Sequence, residues 1–286
     1  MFKPNLANRL APWPAALLLG AGASCAGAQT QALPPTETQL QTQAQTPTPT
    51  QTPVTLELLH TRGKLSAGLP DAHATNLRGT WVAGDGQVAQ LEVLDETKFD
   101  ARGGIVAGSY TRVFDPDWYA TGTLAFGHGG PNWANRRIDL DVATKWRAAR
   151  DIVSHVALYG ATYDADRSDR GLRVSLVAYL PGPTVVEGGI TLNVSDPGAV
   201  RSQMPFVSVT WGREGEQYLS LRLSSGTEAY QALGASQQLV DFHSSSLGLA
   251  WRRWVDRRWG FIATAESYRN PTYKRNTFGA GLLVQF

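Results

Sequence analysis

The stretch DFHSSS places His243 two residues after Asp241 and directly before Ser244, Ser245 and Ser246. A carboxylate, an imidazole and a hydroxyl are the parts of a hydrolytic triad, in which the acid orients the imidazole and the imidazole takes the serine proton. Among the five histidines, His60, His73, His128, His155 and His243, only His243 has both partners beside it. Triad members generally come from separate elements, so adjacency in sequence argues weakly. The expectation is a solvated histidine in an outer connection, with no catalytic residue.

Metal and phosphate chemistry fares no better. YDADRSDR carries Asp164, Asp166 and Asp169, but it lacks the EF-type spacing and terminal Glu, and its arginines oppose a cation. A solvated charged loop is expected there, with contact to lipopolysaccharide phosphates or calcium as the alternative. GHGGPNWANR is glycine-rich without the strand-to-helix context of a phosphate loop, and there is no zinc spacing. No metal and no cofactor are expected.

A third set of residues is larger. Glu92, Glu96, Lys98, Arg137, Asp139, Asp141, Lys145, Arg147, Arg173, Glu187, Arg222, Arg252 and Glu266 fall on the polar faces of alternating segments. Two chemistries fit. The charges pair across an interior and fill it, or they line a path for a hydrophilic solute or glycan, where rings of charge set selectivity. Glycan passage would add aromatic stacking, for which Tyr119, Tyr179 and Tyr268 are the available rings.

The elements that position these charges read as strands. In RRIDLDVATKWR, Ile138, Leu140, Val142 and Trp146 share one face and Arg137, Asp139, Asp141, Lys145 and Arg147 the other. Leu219, Leu221 and Leu223 oppose Ser220, Arg222 and Ser224 in the same way. From Thr55 onward such segments run for roughly 9–12 residues between turn signals. The connections alternate between a short set (GDGQ, DPD, RAARD, PGPT, REGE, VDRR) and a longer one that includes GHGGPNWANR and GTEAYQALGASQQLVDFHS. Short inner turns and longer outer loops are the asymmetry of an outer-membrane barrel, and the spacing predicts about fourteen antiparallel strands, with twelve as the alternative. Trp81, Trp118, Trp146, Trp211, Trp251, Trp254 and Trp259 lie beside the short turns, and Phe286 ends at the same rim. Amphipathic rings collect at a membrane interface, so these eight are expected to form an aromatic girdle.

The beginning of the chain agrees. Lys3, Arg9, the apolar AALLLGAGA and the small residues of AGA predict a secretory signal over residues 1–28. Residues 29–53, rich in Gln, Thr and Pro, predict a disordered tether, leaving 54–286 for the barrel. Cleavage after Ala28 would remove the single cysteine, Cys25, and hence any disulfide. It would also remove two of the 26 basic residues and leave 24 against 24 acidic ones. That balance argues against a nucleic-acid partner, and no segment is apolar for long enough to form a transmembrane helix.

The C-terminal stretch LGLAWRRWVDRRWGFIATAESYRNPTYKRNTFGAGLLVQF resembles the YaiO family of outer-membrane β-barrels. Arg252 and Arg253, the RRWG turn, Tyr273-Lys274-Arg275 and the Gly-rich last strand carry the likeness. LELLHTRGKLS and FDARGGIVAGSYTRV resemble the family's opening strands, so the likeness extends over residues 55–286. The resemblance implies an outer-membrane barrel in a Gram-negative envelope and a loose link to envelope glycans. The closing strand, with Gly281, Val284 and Phe286, resembles the cue read by the barrel-assembly machinery. Expected partners are therefore that machinery, outer-membrane lipids with lipopolysaccharide, and envelope glycan. The expected function is a non-enzymatic, porin-like envelope barrel, a pore or accessory for polysaccharide or small hydrophilic solutes. A non-conducting lipid-binding or scaffolding barrel, and a barrel enzyme acting on lipid or glycan, are the alternatives.

Overall fold

The structure, a computed structural model, describes residues 54–84, 86–146, 149–233 and 237–286. The signal over 1–28, the tether over 29–53 and Arg147 lie outside the described residues. Fourteen strands follow one another without a helix among the described residues. They are β1 (Val54–Leu65), β2 (Ala72–Val82), β3 (Gln87–Lys98), β4 (Ala101–Asp115) and β5 (Trp118–His128). Next come β6 (Arg136–Trp146), β7 (Ile152–Thr162), β8 (Ser168–Leu180), β9 (Thr184–Asp196) and β10 (Val200–Arg213). The chain finishes with β11 (Gln217–Ala232), β12 (Gln238–Trp254), β13 (Trp259–Arg269) and β14 (Lys274–Gln285).

Each strand pairs antiparallel with its neighbours in sequence, and β1 pairs with β14 from Thr55↔Gln285 to Leu65↔Arg275. The sheet is thus a closed barrel of fourteen strands with no free edge, the β-sheet form that satisfies every backbone group in hydrocarbon.

The distribution of side chains is inverted relative to a water-soluble domain. Ile138, Leu140, Leu158 and Phe126 are each more than half exposed, whereas Arg137, Arg252, Thr111 and Thr210 are buried. Apolar outer walls on this scale would aggregate in water and are stable in lipid.

The connections differ from the expectation chiefly in two places. At the short-turn end they span 83–86, 116–117, 147–151, 181–183, 214–216 and 255–258. At the other end they span 66–71, 99–100, 129–135, 163–167, 197–199, 233–237 and 270–273. The long connection expected around 226–244 is mostly strand, because β11 and β12 keep pairing from Thr227↔His243 up to Ala232↔Gln238. The FDARGG connection is only the pair Phe99 and Asp100, both at positive φ (52° and 61°), as a tight hairpin turn matching strand twist requires.

Candidate functional site

The barrel interior holds the charges singled out above. On β6, Arg137, Asp139, Asp141 and Lys145 point inward between the outward Ile138, Leu140 and Val142. Glu92, Arg173, Glu187, Arg222 and Glu266 also stand on the inward faces of their strands.

Most of these charges meet an opposite charge. Glu92 accepts from Arg78 Nη2 at 3.1 Å and from Asn76 Nδ2 at 2.6 Å. Arg137 donates two bonds to Asp139, at 2.8 and 2.6 Å. Asp141 receives Arg173 Nη2 at 2.9 Å and faces His155 Nδ1 at 3.0 Å, while the far side of that imidazole lies 3.3 Å from the Tyr119 hydroxyl. Arg275 donates to Glu266 at 3.0 Å, and Lys98 lies 3.0 Å from Glu96. Arg252 reaches from β12 past two strands to Glu57 on β1, at 2.7 Å. The loosest pair is Arg222 with Glu187 at 4.0 Å, where the guanidinium also lies 3.9 Å over the Phe206 ring. Pairing of this kind offsets the desolvation of charges enclosed in a protein wall.

Toward the short-turn end the interior also carries apolar side chains, with Lys145 level with Val153 and the Arg252–Glu57 pair level with Ile262 and Leu283. Val82, Val88, Val113, Tyr119, Ala143, Val153, Val177, Tyr179 and Val185 pack together along β2 to β9. Leu59, Tyr218, Trp254, Ile262 and Leu283 form a second, separate cluster on β11 to β14 and β1. Together the two clusters draw apolar side chains from every strand except β10 and make a collar interrupted by those charges. At the opposite mouth, Phe99, Leu233, Tyr268 and Tyr273 gather with Leu65 and Ala72. Across from them the 129–135 connection folds inward, so that Trp133 is buried and donates to Glu96 Oε2 at 3.1 Å. In the adjacent 163–167 connection, burial pushes the Tyr163 phenol well above its ordinary range.

Several sequence expectations are corrected here. Trp254 is not part of an outer girdle. It stands three residues after Trp251, and an odd spacing along a strand puts two side chains on opposite faces. Trp251 faces out and meets Phe261 edge-on at 5.0 Å, whereas Trp254 faces in and meets Tyr218 edge-on at 5.6 Å. Trp81, Trp118, Trp146, Trp211 and Trp259 are exposed on the outer wall with Phe286. Tyr119, Tyr179 and Tyr268 are buried in apolar clusters rather than ranged along an open path. His243 lies in β12, not in a connection, with its ring 3.4 Å from the Ser225 hydroxyl on the outer wall. No group of three or more His, Cys, Asp or Glu side chains placed to hold a metal occurs among the described residues.

The collar escaped the sequence reading. Its signal was available in runs such as Thr184-Val185-Val186 and Ile152-Val153, where apolar residues occupy both faces at one strand end.

A family model described as the YaiO membrane beta barrel domain matches residues 54–231, well over half of the chain. The chain belongs to the YaiO family. The match takes in the opening strands on which the likeness was partly drawn; the C-terminal motifs from Leu247 onward lie beyond it. A search of curated proteins found no match. Among solved structures, a bacterial polysaccharide outer membrane secretin is 9% identical, with 82% of this chain and 97% of that chain covered at a TM-score of 0.53. An OmpT loop-deletion mutant from Vibrio cholerae is 11% identical over 82% and 98% of the two chains, with a TM-score of 0.49. An anion-selective porin from Comamonas acidovorans is 10% identical over 82% and 98%, with a TM-score of 0.45. At these identities the first shows shared fold alone. This YaiO chain is a membrane β-barrel protein.

Proposed function

We propose that this barrel is a non-enzymatic component of a Gram-negative envelope whose interior is closed to solutes at rest. It acts through its walls and rims rather than through a standing pore. The observation that carries this reading is the collar, to which every strand except β10 contributes an apolar side chain. A hydrophobic constriction opposes hydrated solutes because water and ions lose their hydration partners on entering it. The charged belt supports the same reading. Its arginines are matched to carboxylates rather than presented to a passing solute, the Arg222–Glu187 pair being the loosest. The His243 ring stands on the outer wall beside Ser225, away from the interior charges. Liposome swelling tests the closure. Vesicles carrying the folded protein should swell no faster than empty vesicles in iso-osmotic arabinose. Swelling that rises with protein content and falls with sugar size would establish a solute pore instead.

A further inference from the structure

The outer wall carries a feature that neither the closed lumen nor the family requires. On β6 to β10, toward the longer connections, the outward face is hollowed into a groove of about 840 Å³. Strand registers order its lining into two rows that run across the strands. The lower runs Leu140, Leu158, Leu172, Leu192 and Gln203 across five strands. The upper runs Ile138, Gly160, Arg170, Val194 and Arg201 across the same five. Gly160 opens the notch, since a Cβ there would meet only the Asp169 carbonyl oxygen, at 4.0 Å.

The height of the arginines is informative. Leu180 and Trp211 stand near the short-turn ends of β8 and β10, and Arg201 lies ten residues above Trp211 on its strand. Arg170 lies ten residues above Leu180 on the same strand. At the strand rise and tilt of a membrane barrel that is about 25 Å, the full height of the apolar band. The two guanidiniums therefore stand where hydrocarbon gives way to headgroups, on the side that bears the longer connections and faces outward from the cell. Arg170 holds only an exposed contact with Asp196 at 3.4 Å. Arg201 is exposed and has no ion pair among the described residues.

We infer that this groove binds one molecule of lipid A, the phosphorylated, multiply acylated glycolipid of the outer leaflet. The lower row of leucines takes an acyl chain. Arg170 and Arg201, flanking Val194, take a phosphate with the planar donor fork that suits phosphate oxygens. This inference does not depend on whether the lumen conducts.

Native mass spectrometry of the full-length, detergent-extracted protein tests it, with bis-phosphorylated lipid A, dephosphorylated lipid A and phosphatidylglycerol as probes. Wild type should take up one lipid A saturably, and the other two lipids more weakly. Loss of one interfacial arginine should weaken lipid A binding about fivefold, and the double variant Arg170→Ala/Arg201→Ala about 30-fold. Gly160→Leu should fill the notch and reduce binding while the arginines remain. Arg102→Ala, which removes an outward arginine already paired with Asp95 at 2.9 Å, should leave binding unchanged. Heat-modifiable migration confirms that each variant is folded; the exposed arginines keep the test intact if Gly160→Leu does not fold. Undiminished lipid A binding by the double arginine variant would overturn the inference. So would phosphatidylglycerol binding as tightly as lipid A.

Discussion

The collar and the charged belt lie in the same lumen, yet they are held by different physics. The collar is a set of aliphatic residues, tyrosines and one tryptophan whose stability comes from contact and exclusion of water. The belt is a set of pairs in which each partner makes its neighbour tolerable, as Asp141 does for both His155 and Arg173. A collar responds to lost volume by degrees, whereas a belt responds to one lost partner by exposing an uncompensated charge. On the proposed reading, closure belongs to the apolar clusters and structural specificity to the charge pairs.

The largest expected effect follows from the belt. Asp141→Ala leaves a guanidinium and an imidazole facing each other without a carboxylate and should cost about 3–5 kcal/mol. Urea unfolding in lipid vesicles measures it, and a cost below that of an average surface change would show the belt to be well hydrated. For the collar, Trp254→Ala should cost about 3–5 kcal/mol. Trp211→Ala on the outer wall should cost clearly less, since lipid fills the vacated space. Equal costs for the two would return Trp254 to the girdle.

Leu221 sharpens the comparison between lumen and outer wall. Leu221→Arg at mid-strand should cost about 2–4 kcal/mol, as for a charge at the bilayer midplane. Leu221→Ala should cost little, whereas a packed protein core would lose about 2–5 kcal/mol on the same truncation. Detergent-to-lipid refolding separates the two, and a costly Leu221→Ala would put that face against protein. The smallest equilibrium effect belongs to Phe286→Asp at the rim, about 0–1 kcal/mol. The folded fraction in extracted membranes should nonetheless fall if the last strand is the cue for assembly; wild-type levels would remove that role.

Much of the fold was legible because lipid and lumen ask for opposite side chains. Arg137 to Lys145 alternate with Ile138 to Thr144, and that alternation alone gives the facing of β6. Fourteen strands followed from the turn signals, since each turn interrupts such a run. What escaped did so for identifiable reasons. The β11–β12 extension is polar on both faces near Ser225 and Ser245, so it reads as a loop although its backbone stays paired. The partners of the charges are equally unreadable. Nothing in the sequence joins Arg252 to Glu57 until the barrel closes and brings β12 near β1. The lateral groove needs the register of five strands at once, which no single segment encodes.

The central claim is that the collar closes the lumen, and planar-bilayer conductance of the purified barrel tests it most directly. Wild type should insert without a stable open level in 1 M KCl (Debye length about 3 Å), and Asp139→Ala/Asp141→Ala should stay silent while unfolding at lower urea. A steady ohmic conductance in wild type, with a reversal potential that moves toward anion selectivity in that double variant, would contradict it.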